Sequence, residues 1–196
     1  MTPGNLHHAR TSVTDPLRIS AVETPRCGRI GMTLCPGKQQ SGAMSGTWTR
    51  DLTLDLAVIR DWGATAVVTL MEPDELRRYG AADIGAAVRK FGMEWYNTPI
   101  PDVRAPGTAF EALWPDVGER LRQHLSAGRS VLLHCLGGLG RTGTIAARLL
   151  AELGVPPAEA VRQVREARPG AIETAAQVNH VLSIQAVAID GPRHSN

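Results

Sequence analysis

The residues best suited to chemistry stand together in Val131-Leu-Leu-His-Cys-Leu-Gly-Gly-Leu-Gly-Arg-Thr-Gly143, where five residues separate Cys135 from Arg141. An apolar run ends at the cysteine, and an amphipathic helix pattern begins near the arginine. Gly137, Gly138 and Gly140 permit backbone conformations that turn successive N–H groups inward, forming an anion-binding nest. The start of a helix adds unpaired donors and the positive end of its dipole. Arg141 can fork onto two oxygens of one anion. Leu136, Gly137, Gly138, Leu139, Gly140 and Arg141 thus form a cradle for a tetrahedral dianion, with the Cys135 sulfur at its floor.

The same cradle acts on the thiol, because helix N-termini and nearby cations favour the nucleophilic thiolate. In-line attack on phosphorus gives a phosphocysteine, with the loop N–H groups and Arg141 stabilising the equatorial oxygens. The Thr142 hydroxyl is expected to hydrogen-bond the sulfur and help it leave in the second step. His134 is expected to orient the loop and tune the thiolate rather than to transfer protons. The leaving oxygen needs an acid and the later water a base, and one carboxyl can serve as each in turn. Asp102 is the candidate, on the stiff loop Pro99-Ile-Pro-Asp-Val-Arg-Ala-Pro106, 33 residues before the nucleophile. A proline-flanked aspartate is otherwise a turn residue. Asp74 and Asp116 fall within or beside helical segments and are weaker candidates.

Other readings of the loop fit less of it. Gly138-Leu-Gly-Arg-Thr-Gly143 satisfies the dinucleotide-binding pattern, but that pattern needs an acidic strand end about 20 residues on. A helix start, Pro156-Pro-Ala-Glu, lies there instead. No Lys follows the last glycine, which excludes a Walker loop. A buried strand cysteine before an ordinary glycine turn leaves His134, Arg141 and Thr142 without a reason.

The elements that must position these residues alternate between short apolar strands and amphipathic helices. Strands are expected over 17–22, 29–34, 65–71, 93–98 and 130–135. Helices are expected over 51–62, 74–79, 83–91, 108–127, 141–153, 156–167 and 174–189. Residues 41–46 are small and polar and read as a loop. The result is an α/β chain with a central mixed sheet flanked by helices on both faces. One domain over 16–189 sits between an N-terminal tail, 1–15, and a C-terminal tail, 190–196.

Composition narrows the classes further. At 196 residues the chain fits the prior of about 150 residues per domain. A net charge of +2 with 43% hydrophobic and 20% charged residues implies neither a nucleic-acid nor a membrane surface. Three cysteines, none at a Cys-x-x-Cys spacing, exclude a disulfide scaffold and argue against a zinc ribbon. His7-His8 has no partners spaced for a metal. The polar N-terminus lacks the apolar core of a signal peptide, and no apolar run approaches the ~20 residues of a membrane span. A cytoplasmic monomer is expected.

The signature His-Cys-x5-Arg-Thr, His134 through Thr142, resembles that of the cysteine-dependent dual-specificity protein phosphatases. Within them it is most similar to the cyclin-dependent-kinase-associated type, whose His-Cys-x-Gly-Gly-Leu-Gly-Arg recurs at 134–141. Leu34-Cys-Pro-Gly-Lys38, Pro99-Ile-Pro-Asp102 and Gly170-Ala-Ile172 with Thr174 and Gln177 extend the likeness over residues 28–188. The resemblance implies a protein tyrosine phosphatase-like fold, phosphomonoester hydrolysis without a cofactor and a phosphoprotein substrate; it carries over no kinase partner. Gly143 departs from that type, which has Cys there. Among relatives some use a resolving thiol, and Cys27 and Cys35 read either that way or as structural. Glu173 and Gln177 could position water or serve as helix cap and helix surface, and Arg168 could brace the loop or lie in solvent. Phosphoinositide phosphatases usually place a cation within the five-residue stretch, where this chain has Leu136 and Leu139. Phosphotyrosine and phosphoserine/threonine are therefore the expected targets, with a lipid phosphatase and a non-catalytic phosphate-binding module as alternatives.

Overall fold

Short apolar runs supply the central strands of the computed structural model, which describes residues 9–43 and 46–187. In chain order these are β1 (Arg10–Thr11), β2 (Ser20–Glu23), β3 (Arg29–Thr33), β4 (Gln39–Ala43), β5 (Gly46–Thr49), β6 (Ala64–Thr69), β7 (Glu94–Asn97) and β8 (Ser130–His134). The main sheet has the order β2-β3-β8-β6-β7, with β2 antiparallel and the other neighbours parallel. β8 is buried along its whole length, as a central parallel strand covered on both faces should be.

The helices are α1 (Leu52–Asp61), α2 (Pro73–Arg78), α3 (Ile84–Lys90), α4 (Thr108–Ser126), α5 (Gly140–Glu152), α6 (Pro157–Ala167) and α7 (Ala175–Leu182). α1 and α3 pack together over β6 and β7, while α5, α6 and α7 pack on one another over β2, β3 and β8. α4 contacts β6 and β8, and its Trp114 indole donates to Glu152 of α5 (2.7 Å). Ile30, Val67, Val68, Leu132, Leu133, Ile145 and Leu149 lie in the fully buried core between these layers. The expected mixed sheet with helices on both faces is thus the observed one.

Three local expectations differ from the structure. Of the expected loop 41–46, residues 44–45 lie outside the described residues and the others are strand: β4 and β5 pair as an antiparallel ribbon in a second sheet, order β1-β5-β4. The register shifts between Gln40 and Ala43, and Gly42 and Gly46 take positive φ. α7 ends at Leu182 instead of 189, because the Ser183 hydroxyl donates back to the His180 carbonyl (2.8 Å) and Leu182 finds no apolar cover. Within the expected N-terminal tail, Arg10–Thr11 pairs in parallel with β5, and the Asp51 N–H donates to the Ser12 hydroxyl (2.9 Å). Residues 1–8 and the C-terminal stretch 190–196 lie outside the described residues.

Candidate active site

Parallel register brings Thr33, His134 and Thr69 side by side at the C-terminal ends of β3, β8 and β6. The segments that follow these strands, and the one after β7, converge there, as ligand sites of open α/β sheets do. The Leu70 N–H donates to His134 O (3.0 Å) and the Ile100 N–H to Leu70 O (3.1 Å), continuing the order beyond the strands. Residues 98–102 are thereby laid against the loop that follows β8.

That loop folds around the sulfur. Cys135 is 3% exposed, and its Sγ accepts the Gly138 N–H at 3.2 Å. Gly138 has φ +73°, and a Cβ there would fall 2.2 Å from the Thr33 carbonyl oxygen. Glycine is therefore required at this position by conformation and by the approach of β3. Arg168 closes the loop from behind: its Nη2 donates to Gly137 O (3.1 Å), its Nε to Gly138 O and its Nη1 to Ser20 Oγ (3.3 Å). Of its two readings, the brace is the one the structure displays.

Arg141 enters from the first turn of α5 and is almost completely buried. Glu75 of α2 grips it with both oxygens, Oε2 to Nη1 at 2.7 Å and Oε1 to Nη2 at 3.0 Å. Nη1 also donates to Ile100 O (3.1 Å). Burial opposes the charge of the guanidinium most strongly of any one influence, but the Glu75 hydrogen bonds and the charges of Cys135, Glu75 and Asp102 together outweigh it and hold Arg141 more firmly protonated than usual. Asp102 completes the group, with Oδ1 2.8 Å from Arg141 Nη2 and a side chain 60% exposed at the mouth of the site. Asp74 points to solvent and pairs with Arg77, and Asp116 lies on the surface of α4, so neither joins the group.

His134 is fully buried beneath the loop, with Nε2 2.8 Å from Thr69 Oγ1, which also accepts the Trp95 indole N–H (2.9 Å). Burial pushes its pKa down to about 4, and its Nδ1 finds no hydrogen-bond partner among the described residues. A neutral imidazole locked this way serves as a support for the loop. Thr142 corrects an expectation: its Oγ1 is buried with no hydrogen-bond partner among the described residues, so the bond to Cys135 Sγ is not made.

The two other cysteines separate clearly. Cys27 sits in the turn before β3, at the opposite end of the sheet from Cys135. Cys35 follows β3, its N–H donating to Leu136 O (3.3 Å), and burial pushes its thiol well above the usual range. Gln177 caps α7 in a box with Thr174, accepts the Glu173 N–H (2.9 Å) and donates to Arg104 O (3.1 Å), tying α7 to the 99–106 loop. Glu173 itself faces the site. Cys135, Arg141, Asp102, Leu136, Leu139 and Glu173 share one shallow pocket of about 150 Å³. No cluster of His, Cys, Asp or Glu among the described residues could hold a metal ion.

Sequence reasoning missed Glu75. In Pro73-Asp-Glu75 it reads as an acidic residue in a helix's first turn, and it does fill that role by accepting the Glu72 N–H (3.0 Å). Only the fold reveals its second partner 66 residues away.

A family model described as "polymorphic toxin system, DSP-PTPase phosphatase" matches residues 42–155. Cyclin-dependent kinase inhibitor 3 of Sus scrofa is 32% identical over 135 residues, 67% of this chain and 62% of that protein. Its Rattus norvegicus counterpart is 30% identical with the same coverage, so the aligned stretch spans less than two thirds of either relative's length. Among solved structures, kinase-associated phosphatase with serine in place of its catalytic-site cysteine matches with a TM-score of 0.73 and 26% identity, covering 84% of this chain and 92% of that one. The active form of Tk-PTP matches with a TM-score of 0.60 and 29% identity, covering 83% and 93%.

Proposed function

Because the chain belongs to the dual-specificity phosphatase family and has its protein tyrosine phosphatase-like fold, we propose that it hydrolyses phosphomonoesters through a phosphocysteine on Cys135. The observation that carries the reading is the convergence of Cys135 and Arg141, from one loop, with Asp102, from a distant one, on one pocket. Cys135 is the nucleophile, and the Gly138 N–H at 3.2 Å stabilises its thiolate. The backbone of 136–140 and Arg141 bind the phosphoryl oxygens, with Arg141 held in position by Glu75. Asp102, already 2.8 Å from Arg141, protonates the leaving oxygen once the phosphoryl group takes its place on the guanidinium.

The shape and lining of the pocket support one substrate class. The pocket is small and shallow, its loop side chains Leu136 and Leu139 are apolar, and neither supplies a cation for a further phosphate. This supports phosphotyrosine and phosphoserine/threonine of proteins as substrates, with a phosphoprotein as the partner. Among the described residues no helix is long and apolar enough to cross a membrane. That accords with action in the cytoplasm, where such phosphoproteins are met.

The test is hydrolysis of a small aryl phosphate by the full chain and by Cys135→Ser. The wild type should turn over and form a phosphoenzyme that can be trapped by rapid denaturation at neutral to alkaline pH, and Cys135→Ser should do neither. Turnover by Cys135→Ser would sink the mechanism. Asp102→Ala should slow alkyl phosphates, which leave poorly, by about 10²-fold more than nitrophenyl phosphate. Equal slowing of both would remove Asp102 from the acid role.

A further inference from the structure

Two carboxylates line the pocket, and they stand in different conditions. Asp102 is engaged by Arg141 at 2.8 Å. Glu173 has an exposed side chain that makes no hydrogen bond or ion pair among the described residues, although it sits in the same pocket as Cys135. Its place is nevertheless well defined. A Cβ on Gly140 would fall 2.3 Å from Glu173 Oε2, so the carboxylate lies against the last loop residue before Arg141.

The backbone that carries Glu173 is fixed on every side. The Ala171 and Ile172 carbonyls accept from Arg165 (3.2 and 2.9 Å), and Ile172 is buried with φ +58°. The Glu173 N–H donates to Gln177 Oε1 at 2.9 Å, and Gln177 is fully buried. Such a scaffold is more than an exposed glutamate on a solvent-facing turn requires. It holds an uncommitted carboxylate, open to water, at the edge of the phosphoryl site.

We infer that Glu173 is the general base of the second half-reaction, so that acid and base duties are divided between two carboxylates. This rests on the phosphocysteine reading above. Asp102 gives its proton to the leaving oxygen in the first step. In the second, Glu173 takes a proton from a water molecule as the water oxygen bonds to phosphorus. The S–P bond breaks and its electron pair returns to Cys135 Sγ as thiolate, where the Gly138 N–H receives it. Phosphate departs, and the proton on Glu173 passes to solvent. A positioned base contributes about 10²–10⁴-fold to such a step.

The experiment is stopped-flow hydrolysis of nitrophenyl phosphate by the full chain, wild type against Glu173→Gln and Glu173→Ala. Nitrophenolate leaves without much help, so its first turnover reports formation of the phosphoenzyme. In both variants we expect a burst of one nitrophenolate per active site at close to the wild-type rate. Steady turnover should then be about 10²-fold slower, and rapid denaturation at neutral to alkaline pH should trap a chain heavier by one phosphoryl group. Wild-type kcat in Glu173→Gln would overturn the assignment. So would a burst rate that falls in step with kcat, since a residue that only shapes the loop affects both halves. An inactive wild type, or a Cys135→Ser variant that turns over, would overturn the phosphocysteine reading itself; an active wild type with an unaffected Glu173→Gln overturns the base alone.

Discussion

Replacing Glu75 with alanine tests whether Arg141 is positioned by its own helix or by its partner across the sheet. The wild-type pair is nearly dry, with side-chain exposures of 1% for Arg141 and 13% for Glu75, and both carboxylate oxygens are used. Removing one partner of a buried pair costs about 3–5 kcal/mol when the other is left uncompensated. Here Arg141 keeps Asp102 and the Ile100 carbonyl, so a loss of about 2–3 kcal/mol is expected, part of it the α2 cap that Glu75 also makes. In a chain of this length that lowers the melting temperature by roughly 5–10 °C. The kinetic effect should be larger in proportion, because a guanidinium displaced by about 1 Å loses on the order of 10² in rate. Glu75→Gln retains an oxygen for the Glu72 N–H and separates the cap from the charge. The measurements are thermal unfolding and kcat/KM on an aryl phosphate for both variants. If Glu75→Ala melts within about 1 °C of wild type and keeps its kcat/KM, the clamp is decorative and the argument fails.

Two further predictions follow from the buried groups around the loop. His134 has its pKa lowered by burial to about 4, so between that value and its ordinary one near 6.5 the unfolded chain binds a proton that the folded chain does not. Its contribution to stability is complete above about pH 6.5 and is lost toward pH 4, at up to about 1.4 kcal/mol per pH unit. Urea unfolding across that range should therefore fall more steeply for the wild type than for His134→Gln, and equal slopes would contradict the neutral buried imidazole. At Gly138, alanine would bring both a positive φ and a 2.2 Å approach to the Thr33 carbonyl oxygen, whereas nothing lies within 4 Å of a Cβ on Gly137. Gly138→Ala should lose stability by about 1–3 kcal/mol or more and lose aryl phosphatase activity, while Gly137→Ala keeps its melting temperature. Comparable melting of the two would contradict this reading of the loop.

Much of the fold was legible because its signals are local. Thr65-Ala-Val-Val-Thr-Leu-Met71 announces a buried parallel strand by composition alone, and the structure has β6 there. The pair β4 and β5 was not legible, since Ser41-Gly-Ala-Met-Ser-Gly46 carries loop residues and β5 offers one buried side chain, Trp48. That tryptophan is packed by Arg10, Lys38 and Arg50, cations that sequence patterning assigns to solvent.

The site divides along the same line. Cys135, Gly138 and Arg141 share one loop, so their spacing encodes their geometry, whereas Asp102, which alone reads as a turn residue, was reached through the likeness of Pro99-Ile-Pro-Asp102 to the family's general-acid loop. Glu75 and Arg168 act on that loop from distant segments, the first through Arg141 and the second through the Gly137 and Gly138 carbonyls. In a linear reading Glu75 has an adequate local explanation as a first-turn acid, so nothing calls for another, and Arg168 fits a brace of the loop and a place in solvent equally well. Thr142 shows the converse error. Its position next to Arg141 suggested a bond to the sulfur, yet α5 turns its hydroxyl into the interior. Sequence adjacency placed it near the chemistry, but the direction of a side chain on the first turn of a helix is set by helical geometry, not by proximity along the chain. The same consideration favours Glu173, which lies 38 residues from the nucleophile in sequence but against Gly140 in space.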